Sequence, residues 1–321
     1  GNYMYVDSFI DLVVLDISNP INIVEVARVK NIFNDYNSYG FYVDPQLGVV
    51  TDWKLVENIE IYDINCDQYS PYNGYAKGYL MIDNGIAMNA EVAFDMSAPT
   101  TSNGIGGSLA NFTIYDNYLY TIDQSDLTLI NIANGVNPLV HSKQTVGWGI
   151  ETLFPHGDKL FIGANNGMYI YDNAIPSTPV LITQYQHITS CDPVVVQGDY
   201  AYVTLRSGNN CGGFSNQLEV VNISNLSNPY QEAVYPMFNP HGLGVDGETL
   251  FICDGQAGLK IYDASDIHAI GNNLKIQYGN IHALDVIPFN NVLMMIGEDG
   301  LFQYDYSDIN DVKLLSTIKT N

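Results

Sequence analysis

Four ionisable residues, Glu151, Asp192, His241 and Asp285, occupy similar places along the chain. The first three are spaced by 41 and 49 residues, and each lies six residues before a turn glycine. Asp285 joins the set if one deletion is allowed. Carboxylates with an imidazole could hold a divalent cation, and oxygen-rich ligands favour calcium or magnesium. A pair of carboxylates could also perform acid–base hydrolysis, and the same groups could bind a polar small molecule.

A second set of candidate residues lies in loops further along each repeat: Asp52 with Trp53, Asp123, Asn165, Arg206, Asp254, and Glu298 with Asp299. Arg206 is one of only 11 basic residues, and Trp53 and Trp148 are the only tryptophans. Arginine, tryptophan and carboxylates together suit a sugar or a carboxylated small molecule. We therefore predict a ligand surface formed by Asp52, Trp53, Glu151, Asp192, Arg206, His241, Asp254, Asp285 and Glu298. The alternative is a wet polar surface that binds only water.

These candidates are positioned by a five-residue motif that recurs seven times. Its pattern is apolar, any residue, apolar, apolar, then Asp or Asn. The copies begin at Leu12, Ile59, Leu127, Met168, Leu218, Leu259 and Leu301. Five of the six spacings are 41 to 50 residues, and the spacing from Ile59 to Leu127 is 68. A period near this length, with several short strands in each unit, is typical of a β-propeller blade.

The sequence therefore predicts an all-β, seven-bladed β-propeller of four-stranded antiparallel blades. Six blades is the alternative if the second unit is too irregular. We expect one domain over residues 1–321, with an insertion at about 64–105 in the second blade. In a propeller, the loops that enter the inner strands meet the loops between second and third strands at one face. The two sets of candidate residues are expected to meet there.

Two local features of the repeat have structural roles. The Asp or Asn that ends each motif is expected to accept a hydrogen bond from the backbone two residues on and so begin a turn. Only 11 residues precede the first motif, which leaves room for a single strand. The first blade is therefore expected to lack its inner strand, and we expect the natural chain to extend upstream and complete it.

Composition excludes several functional classes. Hydrophobic residues make up 46% of the chain and charged residues 14%, as expected of a folded protein. The net charge is −24, from 35 acidic and 11 basic residues. Nucleic acid is an improbable partner, because phosphate binding needs clustered Lys and Arg. No apolar stretch approaches the ~20 residues of a membrane span. We expect a monomer.

The four cysteines are Cys66, Cys191, Cys211 and Cys253, and no CxxC pair occurs. Cys253 falls within an apolar strand and is expected to pack as a small hydrophobic residue. Cys191 and Cys211 lie in loop-like segments near strand ends. A disulfide between them is plausible and would fit an extracytoplasmic location.

The repeated motif resembles that of the LVIVD-repeat family, which Leu12–Asp16 nearly reproduces. Ser18–Pro20 and Ser227–Pro229 fit the flanking pattern, and the 64–105 insertion departs from it. The resemblance implies a bacterial cell-envelope propeller, periplasmic or at the cell surface, exported or lipid-anchored. It supplies no catalytic residues.

The function predicted from the sequence is a non-catalytic binding or interaction module, with its ligand surface at the acidic mouth of the channel. The ligand would be a polar small molecule, a glycan or a protein partner. A divalent cation such as calcium is a further candidate, with Glu151, Asp192, His241 and Asp285 as ligands. The rival is a hydrolase or lyase that uses Glu151, Asp192 and His241. No nucleophile elbow, HExxH motif or phosphate loop supports catalysis.

Overall fold

A computed structural model describes residues 2–33, 106–123, 125–186, 193–207 and 215–320. The chain divides into two units, Gly1–Phe33 with Ala90–Asn321, and Asn34–Asn89. The second unit lies wholly outside the described residues, as does the expected insertion at 64–105. Within the described ranges, no helix has the length and apolar character of a membrane span.

The described residues form six antiparallel blades around a common axis, each with its strands in chain order. Blade 1 contains β1 (Tyr3–Ser8), β2 (Asp11–Asp16) and β3 (Val24–Val29). Blade 2 contains β4 (Phe112–Tyr115), β5 (Tyr118–Ile122), β6 (Asp126–Asn131) and β7 (Leu139–Thr145). Blade 3 contains β8 (Ile150–His156), β9 (Lys159–Ala164), β10 (Gly167–Asp172) and β11 (Val180–Gln186).

The remaining three blades are also four-stranded. Blade 4 contains β12 (Val194–Gln197), β13 (Tyr200–Leu205), β14 (Gln217–Asn222) and β15 (Tyr230–Pro236). Blade 5 contains β16 (Leu243–Asp246), β17 (Thr249–Cys253), β18 (Leu259–Asp263), a short 3-10 helix (Ile270–Asn272) and β19 (Leu274–Tyr278). Blade 6 contains β20 (Ala283–Phe289), β21 (Val292–Gly297), β22 (Gly300–Asp305) and β23 (Lys313–Lys319).

The predicted all-β propeller is confirmed. Six blades are present in the described residues, which is the alternative count rather than seven. The second copy of the motif, at 59–63, lies outside these residues. Blade 1 packs directly against blade 2 through Tyr5, Leu12 and Val14, which meet Phe112 and Leu119. Similar apolar clusters join each later blade to the next as far as blade 6.

The motif strands are the second of the three strands in blade 1 and the third strands of blades 2 to 6. Blades 2 to 5 have an apolar cluster on each side, so both faces of a motif strand can be buried there. In β10, all of Gly167–Tyr171 is buried. This double burial explains why the motif reads as an apolar run rather than as an alternating pattern. At roughly 25 cal/mol for each Å² of apolar surface removed from water, these strands supply much of the fold's stability.

The residue that ends each described motif begins a turn, as predicted. Asp16, Asn131, Asp172, Asn222, Asp263 and Asp305 each accept a hydrogen bond from the backbone N–H two residues on, at 2.8–3.1 Å. Asp263 also accepts bonds from Ser265 Oγ and Lys275, and these bonds lower its pKa to about 2. The same geometry serves Asp and Asn because each offers the Oδ1 acceptor.

We expect Asp263→Asn to keep the turn but lose the ion pair with Lys275, and Asp263→Ala to lose both, so that the alanine variant lowers the melting temperature more at neutral pH. The folded-state pKa of Asp263 lies below its unfolded value. Its stabilising contribution is therefore present above about pH 4 and lost as pH falls towards 2. Melting temperatures measured between pH 2 and pH 7 test the loss of the turn and its pH dependence. Equal melting temperatures for the two variants would contradict the role of Asp263 in the turn.

Blade 1 has three strands in the described residues, so the expectation that it lacks an inner strand is confirmed for them. The first strands of blades 2 to 6 approach one another around the axis. The segment that leads into β4 also lies at this axis. Leu243 N–H donates to Ser108 Oγ at 2.7 Å, and Leu153 N–H donates to Ala110 O at 2.7 Å. Blade 2 is thereby tied to the inner strands of blades 3 and 5.

Candidate functional site

The candidate residues that the structure describes lie at one end of the ring, which we call the upper face. We define it as the end where β8, β16 and β20 begin and where the loops between second and third strands lie. Glu151 is the second residue of β8, and His241 lies just before β16. Arg206, Asp254 and Glu298 follow β13, β17 and β21 respectively. The prediction that two sets of loops share this end agrees with the strand order.

Glu151, Arg206 and His241 form a partly buried electrostatic group at the upper face. Burial raises the pKa of Glu151 to about 7, and the charge of Arg206 opposes this rise. Burial lowers the pKa of His241 to about 3, with smaller contributions from Arg206 and His282 in the same direction. At neutral pH the imidazole is therefore neutral, while the Glu151 carboxyl is divided between its two protonation states.

The backbone at Glu151 contains a β-bulge. Ile150 pairs with Ala164 and Thr152 with Gly163, so Glu151 is the extra residue. A bulge changes the direction of a side chain at the start of paired strands, and bulges are frequent beside functional sites. The bulge allows a carboxyl at the start of an inner strand to lie within the electrostatic influence of Arg206.

We expect the pH dependence of stability to report on Glu151. Its folded-state pKa lies above its unfolded value, so its contribution favours the folded state at low pH and is lost as pH rises through about 7. Glu151→Gln should remove this part of the profile between about pH 4.5 and 7. Chemical denaturation at a series of pH values tests it, and an unchanged profile in the variant would contradict the assignment.

His282 extends the group on the side of blade 6. Its ring meets that of His241 edge-on, with 5.7 Å between centroids. His282 Nδ1 lies 2.7 Å from Glu298 Oε1, and the backbone N–H of Glu298 donates to His282 O at 3.1 Å. Glu298 is thus joined to His241 through His282. The sequence interpretation missed His282, although its place just before an inner strand is the signal that singled out His241.

Asp254 is a structural residue of this face. Its side chain is fully buried and lies 2.6 Å from Lys260 Nζ. Its oxygens accept hydrogen bonds from the backbone N–H groups of Phe238 and Asn239 at 2.7–3.1 Å. The carboxylate therefore has its acceptor sites occupied by the protein. It positions the loop before β16 rather than facing a ligand.

Asp285 also differs from its predicted place. It pairs with Ile296, as Thr152 pairs with Gly163, so Leu284 and not Asp285 matches Glu151. A shift of one residue turns a side chain to the opposite side of a strand. Asp285 consequently points at the axis, where Ser108 Oγ donates to Oδ1 at 3.1 Å and backbone N–H groups also donate.

The surroundings of Asp285 are dense, yet the residue keeps some accessible surface. Burial raises its pKa to about 6, and the hydrogen bonds from Val286, Ser108 and Leu109 oppose the rise. The sequence did not indicate Ser108, because its partner lies 177 residues away.

Several candidates lie outside the described residues: Asp52, Trp53, Asp192, Cys191 and Cys211. The Cys191–Cys211 disulfide therefore stays a prediction. Cys253 is buried and has a free thiol, as expected. Within the described part of the chain, no three His, Cys, Asp or Glu side chains are grouped to hold a metal ion. The proposed cation site, which includes Asp192, also stays a prediction.

Comparison with known proteins supports the repeat assignment. The LVIVD repeat model matches residues 1–31, 106–143 and 190–235. Three segments of this chain match the LVIVD repeat. The matched segments include the LVIVD motif strands β2, β6 and β14. The resemblance predicted from the sequence is thereby confirmed. No curated protein matches the sequence.

Two solved structures of AztD are similar to this chain in fold. Apo AztD from Citrobacter koseri is 10% identical, with 98% of this chain and 70% of AztD covered and a TM-score of 0.50. A second AztD structure from that organism is 9% identical, with 98% and 69% covered and a TM-score of 0.50. A chain of a nidogen/laminin complex is 14% identical, with 72% and 84% covered and a TM-score of 0.46. At 9–10% identity the likeness to the two AztD structures concerns the fold alone.

Proposed function

We propose that this propeller is a binding module and that its ligand surface is the upper face. The observation that carries the proposal is the partly buried group of Glu151, Arg206 and His241. Burial works against the charged forms of both Glu151 and His241, so the fold keeps these side chains here at a cost in stability. Groups held in this way cluster at functional sites.

The ligand classes that suit the surface are a polar small molecule, a glycan and a protein partner. The Arg206 guanidinium donates hydrogen bonds, and the neutral His241 imidazole both donates and accepts them. The pKa of the Glu151 carboxyl lies near neutral pH, so this group can also donate or accept. A divalent cation such as calcium is a further candidate, for which Asp192 would be needed with Glu151 and His241. We further propose an extracytoplasmic location at the bacterial cell envelope, periplasmic or at the cell surface, which the LVIVD repeats favour.

A ligand screen tests the binding proposal. Oligosaccharides, carboxylated small molecules, cationic peptides and divalent cations would be added separately, and the melting temperature measured. A true ligand should raise the melting temperature of the natural protein but not that of Glu151→Gln or Arg206→Gln. Arg28→Gln is the matched control, because Arg28 pairs with Glu25 at 2.9 Å on the outer strand of blade 1. Equal shifts in all variants would rule out the upper face.

The rival function is a hydrolase or lyase, and one observation favours it. The pKa of Glu151, at about 7, suits a general acid or base at neutral pH. If the protein is such an enzyme, Glu151→Gln should abolish turnover of a glycoside, ester or phosphoester without lowering the melting temperature at neutral pH. Lack of turnover across these three substrate classes would count against this rival and leave the binding proposal standing.

A further inference from the structure

Two aromatic side chains project from the upper face on separate blades. Trp148, in the loop before β8, is 70% exposed, and Phe238, in the loop before β16, is 59% exposed. Each loop leads directly to a member of the electrostatic group, Glu151 in one case and His241 in the other. Large aromatic side chains normally bury much of their surface, and those displayed at interfaces supply a large share of binding energy.

The loop that carries Trp148 is held in place on both sides of the indole. The N–H groups of Val146 and Gly147 donate to Ser125 O at 2.9 and 3.2 Å, and Asn165 N–H donates to Gly149 O at 2.8 Å. Gly149 has a φ of +70°, in the left-handed region, and a side chain there would collide with Asn165. The indole is therefore displayed from a fixed backbone.

The loop that carries Phe238 is held by different groups. The buried Asp254 carboxylate accepts from the N–H groups of Phe238 and Asn239, and Lys260 fixes the carboxylate in turn. Met237 packs against the apolar cluster between blades 4 and 5. Binding through fixed loops loses little conformational entropy, which is the advantage of a preorganised surface.

The charge of the protein indicates the chemistry of the partner. The chain carries a net charge of −24, and Asp299 and Glu298 are exposed at the upper face. Lys or Arg side chains of a partner would be attracted by this field. The same cations interact favourably with aromatic faces, tryptophan being the best of them. Trp148 and Phe238 together with acidic side chains thus complement a cationic partner.

We infer that the upper face docks a protein partner through a Lys- or Arg-bearing segment, with Trp148 and Phe238 as anchors. This inference rests on the proposed function and names the partner class for the same face. The two loops belong to blades 3 and 5 and flank the group of Glu151, Arg206 and His241, so one partner segment would contact an aromatic ring on either side of it.

The test uses a short oligolysine peptide as the probe and an oligoglutamate peptide as its counterpart. Binding to the full chain is measured by calorimetry and by the change in tryptophan fluorescence. We expect oligolysine to bind and oligoglutamate not to bind. Trp148→Ala and Phe238→Ala should each weaken binding by about tenfold or more, as loss of an interface anchor does. Trp148→Phe should recover part of the affinity.

Tyr230→Ala is the matched control, because Tyr230 is 50% exposed on the outer strand β15, away from the upper face. Unchanged affinity in this variant is expected. If all the variants bind oligolysine equally, the attraction is diffuse charge and the inference is overturned. If a neutral oligosaccharide binds instead and loses affinity in Trp148→Ala, the inference is overturned while the proposed binding function stands. If no probe class binds, both are overturned.

Discussion

Replacing Gly242 with alanine is expected to lower the free energy of unfolding by about 1–3 kcal/mol, the usual cost of overpacking. A Cβ at this position would lie 1.9 Å from Asp285 Oδ1 and 2.6 Å from its Cγ. The clash cannot be relieved by moving the carboxylate freely, because Ser108 Oγ and backbone N–H groups hold it. Chemical denaturation at neutral pH measures the loss.

A double-mutant cycle makes this prediction specific. Asp285→Ala alone should also destabilise, by about 1–3 kcal/mol, because it leaves buried donors such as Ser108 Oγ without their acceptor. In the double variant Gly242→Ala/Asp285→Ala the contacts with Oδ1 and Cγ are absent and only the Asp285 Cα, at 3.0 Å, remains close, so its loss should be smaller than the sum of the two single losses. Gly157→Ala is a contrasting control: its φ of +57° adds backbone strain, but no atom lies within 4 Å of the added Cβ. If the losses of unfolding free energy in Gly242→Ala and Asp285→Ala simply add in the double variant, the clash between the two positions is refuted.

Replacing Asp254 with alanine is expected to cost about 3–5 kcal/mol of folding free energy, the range observed when one partner of a buried ion pair is removed. The change leaves the half-buried Lys260 ammonium and the N–H groups of Phe238 and Asn239 without their acceptor. Adding Lys260→Met should recover part of the loss, since it removes the uncompensated charge. The midpoint of urea unfolding measures each variant.

Asp123 provides the matched comparison for Asp254, because it follows the second strand of blade 2 as Asp254 follows that of blade 5. Its partner Lys143 lies 2.8 Å away, but the lysine side chain is 43% exposed, against 15% for Lys260. Water screens the more exposed pair, so Lys143→Met should cost no more than about 1 kcal/mol. If Lys143→Met lowers the free energy of unfolding more than Asp254→Ala does, burial does not set the strength of these ion pairs.

Features that depend on neighbours in the sequence were predictable. The repeated apolar run followed by Asp or Asn gives both the third strand and the turn after it, because each depends on a few adjacent residues. The missing inner strand of blade 1 followed from counting the residues before Leu12. Such features repeat from blade to blade, and seven copies of one pattern make each reading more secure.

Features that depend on exact strand register or on distant partners were not predictable. The alignment placed Asp285 with Glu151, whereas a bulge in each inner strand places Leu284 there. Asp254 was selected for its position and charge, but only Lys260 and the loop before β16 reveal its structural role. His282 shares with His241 a place just before an inner strand, whereas Phe238 carries no distinguishing sequence pattern. They matter because folding brings their loops to one end.

The bond between Ser108 and Asp285 has a consequence for how the chain folds. Repeat proteins usually behave as rows in which each unit depends on its nearest neighbours alone. Here a hydroxyl in front of the second blade needs a carboxylate from the sixth, and loop closure over such a separation is entropically costly. The early blades therefore gain their final axial contacts only after the last blade has formed. Removing that blade should loosen the segment around Ser108, so the six described blades are expected to unfold as one cooperative unit.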